Sequence, residues 1–460
     1  MQTLSNKLIS HTFYNLVKKL KTRRTNLCNL RPIKESIMAN KKSINKLKDE
    51  FFAACPHNFE EILMDEMSNI GIKELAKVVG GVNFKCSPEK AIELVLKSRV
   101  ASRIYKKLYS FDIKNEKDIY FHAKEIKWKA VFTLDQTFKT EVSLGHSPDG
   151  TRRSKFTNTM YLGQVLKDGI VDYFRATHND ERPNVEKQNP HALISMRIQP
   201  HDNKFSSKEE VLISLDLSGE ILSNRKYRIR SVEAPIRENL AAGLIIKAGL
   251  KKDEDFYDPM CGGGTFLIEA LLIKASISPS FKRIDSYFDE EEEFKDQWAF
   301  LEHEFYQKNK YIKENTEKLL TTLKKENEAG FAWLKKNNIK IYGTDNSTES
   351  IKVAKMNIQN AGMGNYIYLE VADGTSFKPG PFAGKIITNP PYGERIGEVE
   401  ELEEVYYQLG ENFKNNFKGS SAFLITGNKE LLKKIRLKPA MKMDLRNGKL
   451  DSKFVQYDLF

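Results

Sequence analysis

Residues Ile386 to Arg395 read I-I-T-N-P-P-Y-G-E-R. An apolar run ends at Thr388, as a buried strand ends. An amide, two prolines and an aromatic ring follow. Neither proline has an N–H, so a ladder of strand hydrogen bonds stops there. Pro390 also biases Asn389 toward an extended backbone. The expected result is a stiff loop at a strand's carboxyl end, with Pro391 holding the corner. Such a loop could grip a planar amine. The Asn389 side-chain oxygen and the Pro390 carbonyl would accept its two N–H bonds, and Tyr392 would stack on the attached ring. A proline-rich turn with a core tyrosine would use the same residues.

Neighbouring segments add weight to the first reading. Asp255 to Ala270 reads D-F-Y-D-P-M-C-G-G-G-T-F-L-I-E-A. A strand should end at Asp258, the glycines should turn tightly, and a helix should begin near Thr265. Glycines let a backbone approach a ligand closely, and a helix N-terminus favours an anionic group. Asp258, Pro259, Cys261, Gly262, Gly264 and Thr265 are therefore candidate cofactor contacts. The dinucleotide pattern Gly-x-Gly-x-x-Gly is absent, as is the P-loop Lys-Ser/Thr, which disfavours NAD and ATP. Two more strands should end in acids. Asp345, followed by Asn346, could accept from both ribose hydroxyls. Asp373, followed by Gly374, could accept from an adenine amine. Each acid alone also suits an ordinary helix cap. Three acids at successive strand tips ahead of Asn389 make a site.

These strands need a scaffold. At 460 residues the chain has room for two to four domains. A strand at Phe51–Cys55, a helix from Pro56, a strand with a glycine turn over 78–84 and a helix starting at Ser87-Pro88 suggest a small ferredoxin-like module. A second unit should hold strands at 137–144, 192–198 and 211–217 around a helix at 160–174. Arg152, Arg153 and Lys155 lie just before that helix and could hold phosphates, helped by its N-terminal N–H groups; a solvated basic loop is the plain alternative. The residues 279–338 are highly charged and should be helical and largely solvated. The expected boundaries are a basic extension over 1–47, the ferredoxin-like module over 48–111, the second unit over 112–220 and the catalytic domain over 221–460.

Composition sets outer limits. The longest apolar runs are too short to span a bilayer, so no membrane partner is expected. The four cysteines lack CxxC spacing, against a structural zinc site or a disulfide framework and in favour of a reducing, cytoplasmic setting. No metal is expected. Net charge is +12, and +7 of it lies before Met38, where eight Lys and Arg face Glu35 alone. That extension reads as a flexible tail or as residues upstream of the true start.

The order Asp258-Pro-Met-Cys-Gly-Gly-Gly-Thr, Gly343-Thr-Asp345, Ala372-Asp373-Gly and Asn389-Pro-Pro-Tyr392 resembles a class I S-adenosylmethionine-dependent amino-methyltransferase. The stretch S-K-F-x-N-T-M-Y-L-G-Q resembles a THUMP domain, a family that binds RNA. Together they look like the bacterial 23S rRNA guanine-N2 methyltransferase family, over about Lys48 to Phe460. Pro391-Tyr-Gly-Glu-Arg-Ile-Gly-Glu, Tyr407-Gln-Leu-Gly and a terminal hairpin turning at Asn447-Gly448 extend the likeness. The resemblance implies an α/β protein: a Rossmann-like class I methyltransferase domain with a mostly parallel seven-stranded sheet, preceded by ferredoxin-like and THUMP modules. It implies S-adenosylmethionine as cofactor, its amino-acid end held by the glycine loop, and 23S rRNA or an assembling large ribosomal subunit as partner. A tRNA guanine-N2 methyltransferase and a catalytically idle ribosome-assembly factor are the competing readings. No second methyltransferase domain is expected from this chain.

Overall fold

In the computed structural model the described residues are 45–46, 49–146, 152–201, 208–233, 235–289, 298–337, 339–393, 398–447 and 450–460. Residues 1–44 of the basic extension, the Glu394-Arg395 end of the diproline stretch and the turn residue Gly448 lie outside them.

The amino-terminal half is one sheet. Its strands are β1 (Glu50–Ala54), β2 (Glu74–Val78), β3 (Gly81–Lys85), β4 (Arg103–Ile113), β5 (Phe138–Leu144), β6 (Ala192–Pro200) and β7 (Glu209–Asp216). The spatial order is β2-β3-β1-β4-β7-β6-β5, and Asn45–Lys46 adds a short pairing to β4. Only β5 and β6 run parallel; the other neighbours are antiparallel. The glycine turn expected within 78–84 falls at Gly80, whose φ of +80° turns the chain between β2 and β3, so the segment joins two strands of a hairpin. Helices α1 (Glu60–Asn69), α2 (Pro88–Lys97), α3 (Glu116–Glu125) and α4 (Thr159–Thr177) cover the sheet's apolar side. Strand β4 pairs with β1 on one edge and β7 on the other, so both modules share one ladder.

The carboxyl-terminal half is built on α5 (Glu238–Ala248), β8 (Asp255–Asp258), α6 (Thr265–Lys274), α7 (Phe281–Phe288), α8 (Lys310–Lys336), β9 (Ile341–Asp345), α9 (Thr348–Asn360), β10 (Tyr368–Val371), β11 (Gly384–Thr388), α10 (Glu398–Asn416), β12 (Ser421–Thr426), β13 (Met441–Asn447) and β14 (Leu450–Asp458). Strand order is β10-β9-β8-β11-β12-β14-β13. The first five run parallel, and β14 is antiparallel to both β12 and β13. Alternate residues of β8, β11 and β12 are buried in two different cores, Phe256, Ile387 and Phe423 in one and Tyr257, Ile386 and Leu424 in the other, as a sheet covered on two faces requires. Helix α6 is buried almost all round for the same reason.

The described residues of the charged stretch 279–338 are mostly helical, but they are not largely solvated. Helix α8 turns Ile312, Leu320, Leu323 and Leu334 inward at helical spacing. Trp298 and Phe300 are fully buried, and the Phe300 N–H donates to the Leu217 carbonyl at 3.2 Å. Gln136 Nε2 donates to the Glu302 carbonyl at 2.6 Å. Most of the charges on α8 face outward, while Arg283 and Glu304 are buried with the apolar residues that brace the catalytic half against the amino-terminal sheet. A second tie is a buried charge cluster. Tyr227 donates to Glu269 at 2.9 Å, and Arg225 lies 3.6 Å from the same carboxylate and donates to the Arg99 carbonyl.

Candidate active site

The sheet changes direction beside β8: its neighbours are β9, which leads away through β10, and β11, which leads the other way. At such a switch point the loops after adjacent strands diverge and leave a crevice at the carboxyl ends. Register brings the tips together, with Ile386 opposite Tyr257 and Gly343 opposite Asp258. A cavity of about 1010 Å³ opens there.

The glycine loop after β8 is shaped by its backbone. Gly262 and Gly264 hold φ values of +50° and +81°, left-handed conformations that a side chain disfavours. Gly264 leads directly into α6. Hydrogen bonds lash the loop to β9: Cys261 N–H donates to the Thr344 carbonyl at 2.8 Å, and the Thr344 hydroxyl donates to the Pro259 carbonyl at 3.0 Å. Asp345 is not the cap of α9. That role belongs to Ser347, whose hydroxyl oxygen accepts from Ser350 N–H. Asp345 instead accepts from Gly262 N–H at 3.0 Å and Ser347 N–H at 2.9 Å, which leaves each oxygen further lone pairs for a ligand. Asp373 is exposed and accepts from the Thr375 N–H and hydroxyl through one oxygen.

Asp258 is 1% exposed. Burial pushes its carboxyl up to about 7; the Met260 N–H works against that shift, and the nearby Asp345 carboxylate adds to it. Burial likewise holds the Cys261 thiol far above its ordinary value, so Cys261 is a wall and not a nucleophile.

Strand β11 delivers Thr388, fully buried, and then Asn389. The Asn389 side-chain oxygen is buried and, among the described residues, has no hydrogen-bond partner. Buried acceptors are rarely left empty, and this one sits in the cavity wall. Tyr392 lies beside it; a methyl group built on Gly427 would touch that ring at 3.4 Å, so the ring packs closely over the glycine. A smaller cavity of about 360 Å³ lies beside Tyr392 and is bounded by Gly427, Asn428, Lys429 and Leu450.

Thus Asp258, Pro259, Cys261, Gly262, Thr265, Asp345, Asn346, Asp373, Gly374, Asn389, Pro390, Pro391 and Tyr392 share one cavity. Gly264 does not line it; its Cα packs toward Ile358 and Ala354 of α9. Arg152, Arg153 and Lys155 are not part of it either. Arg152 donates to the His201 carbonyl and Lys155 to the Lys114 carbonyl at 2.6 Å, so both brace the loop ahead of α4. Sequence reading missed several lining residues. Arg228 and Arg230 come from a stretch that reads only as a basic linker. Glu401, Glu404 and Gln408 line the cavity from α10, and their helical spacing after the diproline loop was a usable signal. Asn357 had none. From α9 its Nδ2 donates to the Arg230 and Gly263 carbonyls, both at 3.0 Å, and its Oδ1 accepts from Ile229 and Arg230 N–H. One side chain thereby clips the linker to the glycine loop.

Strand order, switch point and loop placement define the Rossmann-like class I methyltransferase fold. Comparison with known families agrees: the RMKL-like methyltransferase domain matches residues 225–456. The RlmL ferredoxin-like domain matches 50–105 and the THUMP domain 113–202. The chain belongs to the RMKL-like methyltransferase family. It is 33% identical over 410 residues to a ribosomal RNA large subunit methyltransferase K/L of Shewanella sp. (strain ANA-3), covering 89% of this chain and 52% of that one. The protein of the same name from Syntrophotalea carbinolica is 31% identical over 421 residues, covering 89% and 53%. The chain thus spans about half the length of these curated relatives. A crystal structure of a possible methylase from Clostridium difficile 630 superposes with a TM-score of 0.72 at 27% identity, covering 89% of this chain and 98% of that one.

Proposed function

We propose that this chain methylates the exocyclic N2 amine of a guanosine in large-subunit (23S) ribosomal RNA, with S-adenosylmethionine as donor. The observation that carries the reading is the unpartnered, buried Asn389 oxygen in the same cavity as the glycine loop. The name shared by the relatives favours ribosomal RNA, and the THUMP match favours RNA as the class of partner.

The residues present fit the cofactor. The left-handed Gly262 and Gly264 let the loop approach the donor's amino-acid end, with Asp258 facing its ammonium. Asp345 suits the ribose hydroxyls and Asp373 the adenine amine. When bound, the cofactor supplies an electrophilic methyl group on a sulfonium. The protein must then present a poor nucleophile, because the guanine amine's lone pair is delocalised into its ring. Asn389 Oδ1 and the Pro390 carbonyl accept the two amine protons. Those hydrogen bonds turn the lone pair toward the donor and stabilise the positive charge growing on nitrogen, which is discharged when the methylated amine loses one proton to water. The rigid diproline corner keeps both acceptors in place, so positioning contributes much of the acceleration. The base reaches this corner only when turned out of its stack, and Tyr392 offers it a face. The amino-terminal modules hold the RNA by shape and phosphate contacts.

The direct test is Asn389→Ala. Methyl transfer to deproteinised large-subunit rRNA should fall at least a thousandfold (about 4 kcal/mol of transition-state stabilisation), with S-adenosylhomocysteine affinity by calorimetry close to wild type. A variant with full turnover removes the amine-gripping role. Mass spectrometry of rRNA and tRNA nucleosides from cells lacking the gene identifies the acceptor: loss of N2-methylguanosine from tRNA alone would overturn the rRNA assignment.

A further inference from the structure

The segment that follows the tip of β12 touches the site described above only at its start, where Gly427 to Lys429 border Tyr392. From Gly427 to Lys442 it carries Lys429, Lys433, Lys434, Arg436, Lys438 and Lys442 against Glu430 alone, so 6 − 1 = +5 in sixteen residues. The described part of the catalytic half is otherwise mixed in sign, and the start of α10, on the neighbouring surface, is acidic. Only part of this charge is neutralised. Lys433 pairs with Glu430 at 2.5 Å and Lys434 with Glu403 at 2.6 Å. Arg436 lies over the Tyr407 ring at 4.5 Å. Among the described residues Lys429, Lys438 and Lys442 are paired with no carboxylate, and all three are exposed.

Their placement gives the charge a direction. Lys429 borders the 360 Å³ cavity against Tyr392. The short helix Leu431–Lys434 buries Leu431 and, just beyond it, Ile435 in the core beneath α10. Lys442 sits on the edge strand β13 opposite Val455, whose side chain belongs to that same core. Lys442 therefore shares the α10 face of the sheet with the short helix. Lys429 thus stands at the mouth beside Tyr392 and Lys442 on the edge strand, with Lys438 exposed in the connection between the short helix and β13. A run of lysines is often only a solubilising surface. Here the row begins at the ring that faces the target base, where a polyanionic substrate must enter.

We propose that residues 429–442 form a second RNA surface, in which Lys429, Lys438 and Lys442 hold the phosphate backbone next to the extruded nucleotide. The inference depends on the RNA reading given above. It assigns the RNA grip to the catalytic half as well as to the THUMP module. Lysine serves this purpose as a point charge that tolerates any sequence. The contact orients the strand beside the site without reading its bases.

The test uses the full chain carrying Lys429→Glu, Lys438→Glu and Lys442→Glu together. The control carries Lys318→Glu and Lys325→Glu, two exposed lysines of α8. Binding to fluorescently labelled large-subunit rRNA fragments is followed from low to moderate salt. Three lost phosphate contacts should make the log–log salt slope shallower by roughly two to three and weaken binding at least tenfold at low salt. S-adenosylhomocysteine affinity and Tm should stay at wild-type values in both variants, and the control should bind RNA as wild type does. A neutral Lys→Gln triple should show a smaller loss in the same direction. Unchanged RNA affinity and slope in the charge-reversed triple overturn the proposal. Unchanged binding to naked rRNA with lost binding to ribosomal particles also overturns it, because the surface would then meet protein. If wild type itself binds no rRNA, the functional proposal fails with it; if only the triple behaves as wild type, this surface alone is wrong.

Discussion

The Asp258 carboxyl should make cofactor binding pH-dependent. In the ligand-free protein burial raises it to about 7. The native state therefore holds this proton more tightly than the unfolded chain does, and native stability falls as pH rises from the usual carboxylate range through about 7. Cofactor binding reverses the preference, because an ammonium beside the carboxyl favours the ionised form. Binding must then release one proton wherever the free enzyme is protonated. With a free-state value of about 7, the ionised fraction is about 0.09 at pH 6 and about 0.91 at pH 8. The Kd for S-adenosylhomocysteine should accordingly fall about tenfold, or roughly 1.4 kcal/mol, between those pH values and level off above. The ligand's own amine stays protonated over most of this range. Titration calorimetry in two buffers of different ionisation enthalpy reads both the Kd and the proton count. Asp258→Asn keeps the shape, removes the charge and should give weaker binding with no slope over the window. A Kd in wild type that is flat from pH 5.5 to 8.5, or an unchanged slope in Asp258→Asn, would refute the ammonium-facing role.

Two further expectations concern the rim of the cavity. In Gly374→Ala the new methyl carbon would lie 2.1 Å from the Pro259 carbonyl oxygen, so the loop carrying Asp373 must shift; the cost is about 1–3 kcal/mol or more, read as a lower Tm together with weaker S-adenosylhomocysteine binding. Asn357→Leu strips four hydrogen bonds from the linker and the glycine loop; urea unfolding should show a loss of about 2–4 kcal/mol, and cofactor affinity should drop although Asn357 Nδ2 and Oδ1 are both already engaged by protein. Wild-type affinity in a destabilised Asn357→Leu protein would make the clip structural only.

What the sequence determined by itself was the local backbone. Two prolines stop a ladder, glycines accept positive φ, and an acid at the end of an apolar run marks a strand tip. These effects act within a few residues, so Asp258, Asp345, Asp373 and Asn389 were legible as strand ends without a partner in view. The helix of α4 and the strands β5 to β7 were legible for the same reason, through their periodicity. Strand β4 was not: it is rich in lysine and tyrosine, and only pairing on both edges makes it the spine of the amino-terminal sheet. The solvated reading of 279–338 failed similarly, because charge density says nothing about which face a helix turns inward.

Only the tertiary structure decided which residues meet. Asn357 is an ordinary helical asparagine until α9 is laid against the linker and the glycine loop. Arg228 and Arg230 become cavity wall because the linker is held there. Asn389 Oδ1 becomes a buried acceptor without a partner only once β11 lies beside β8. Backbone preference is a property of neighbours along the chain, whereas burial, shifted acidity and unmet hydrogen bonds are properties of neighbours in space.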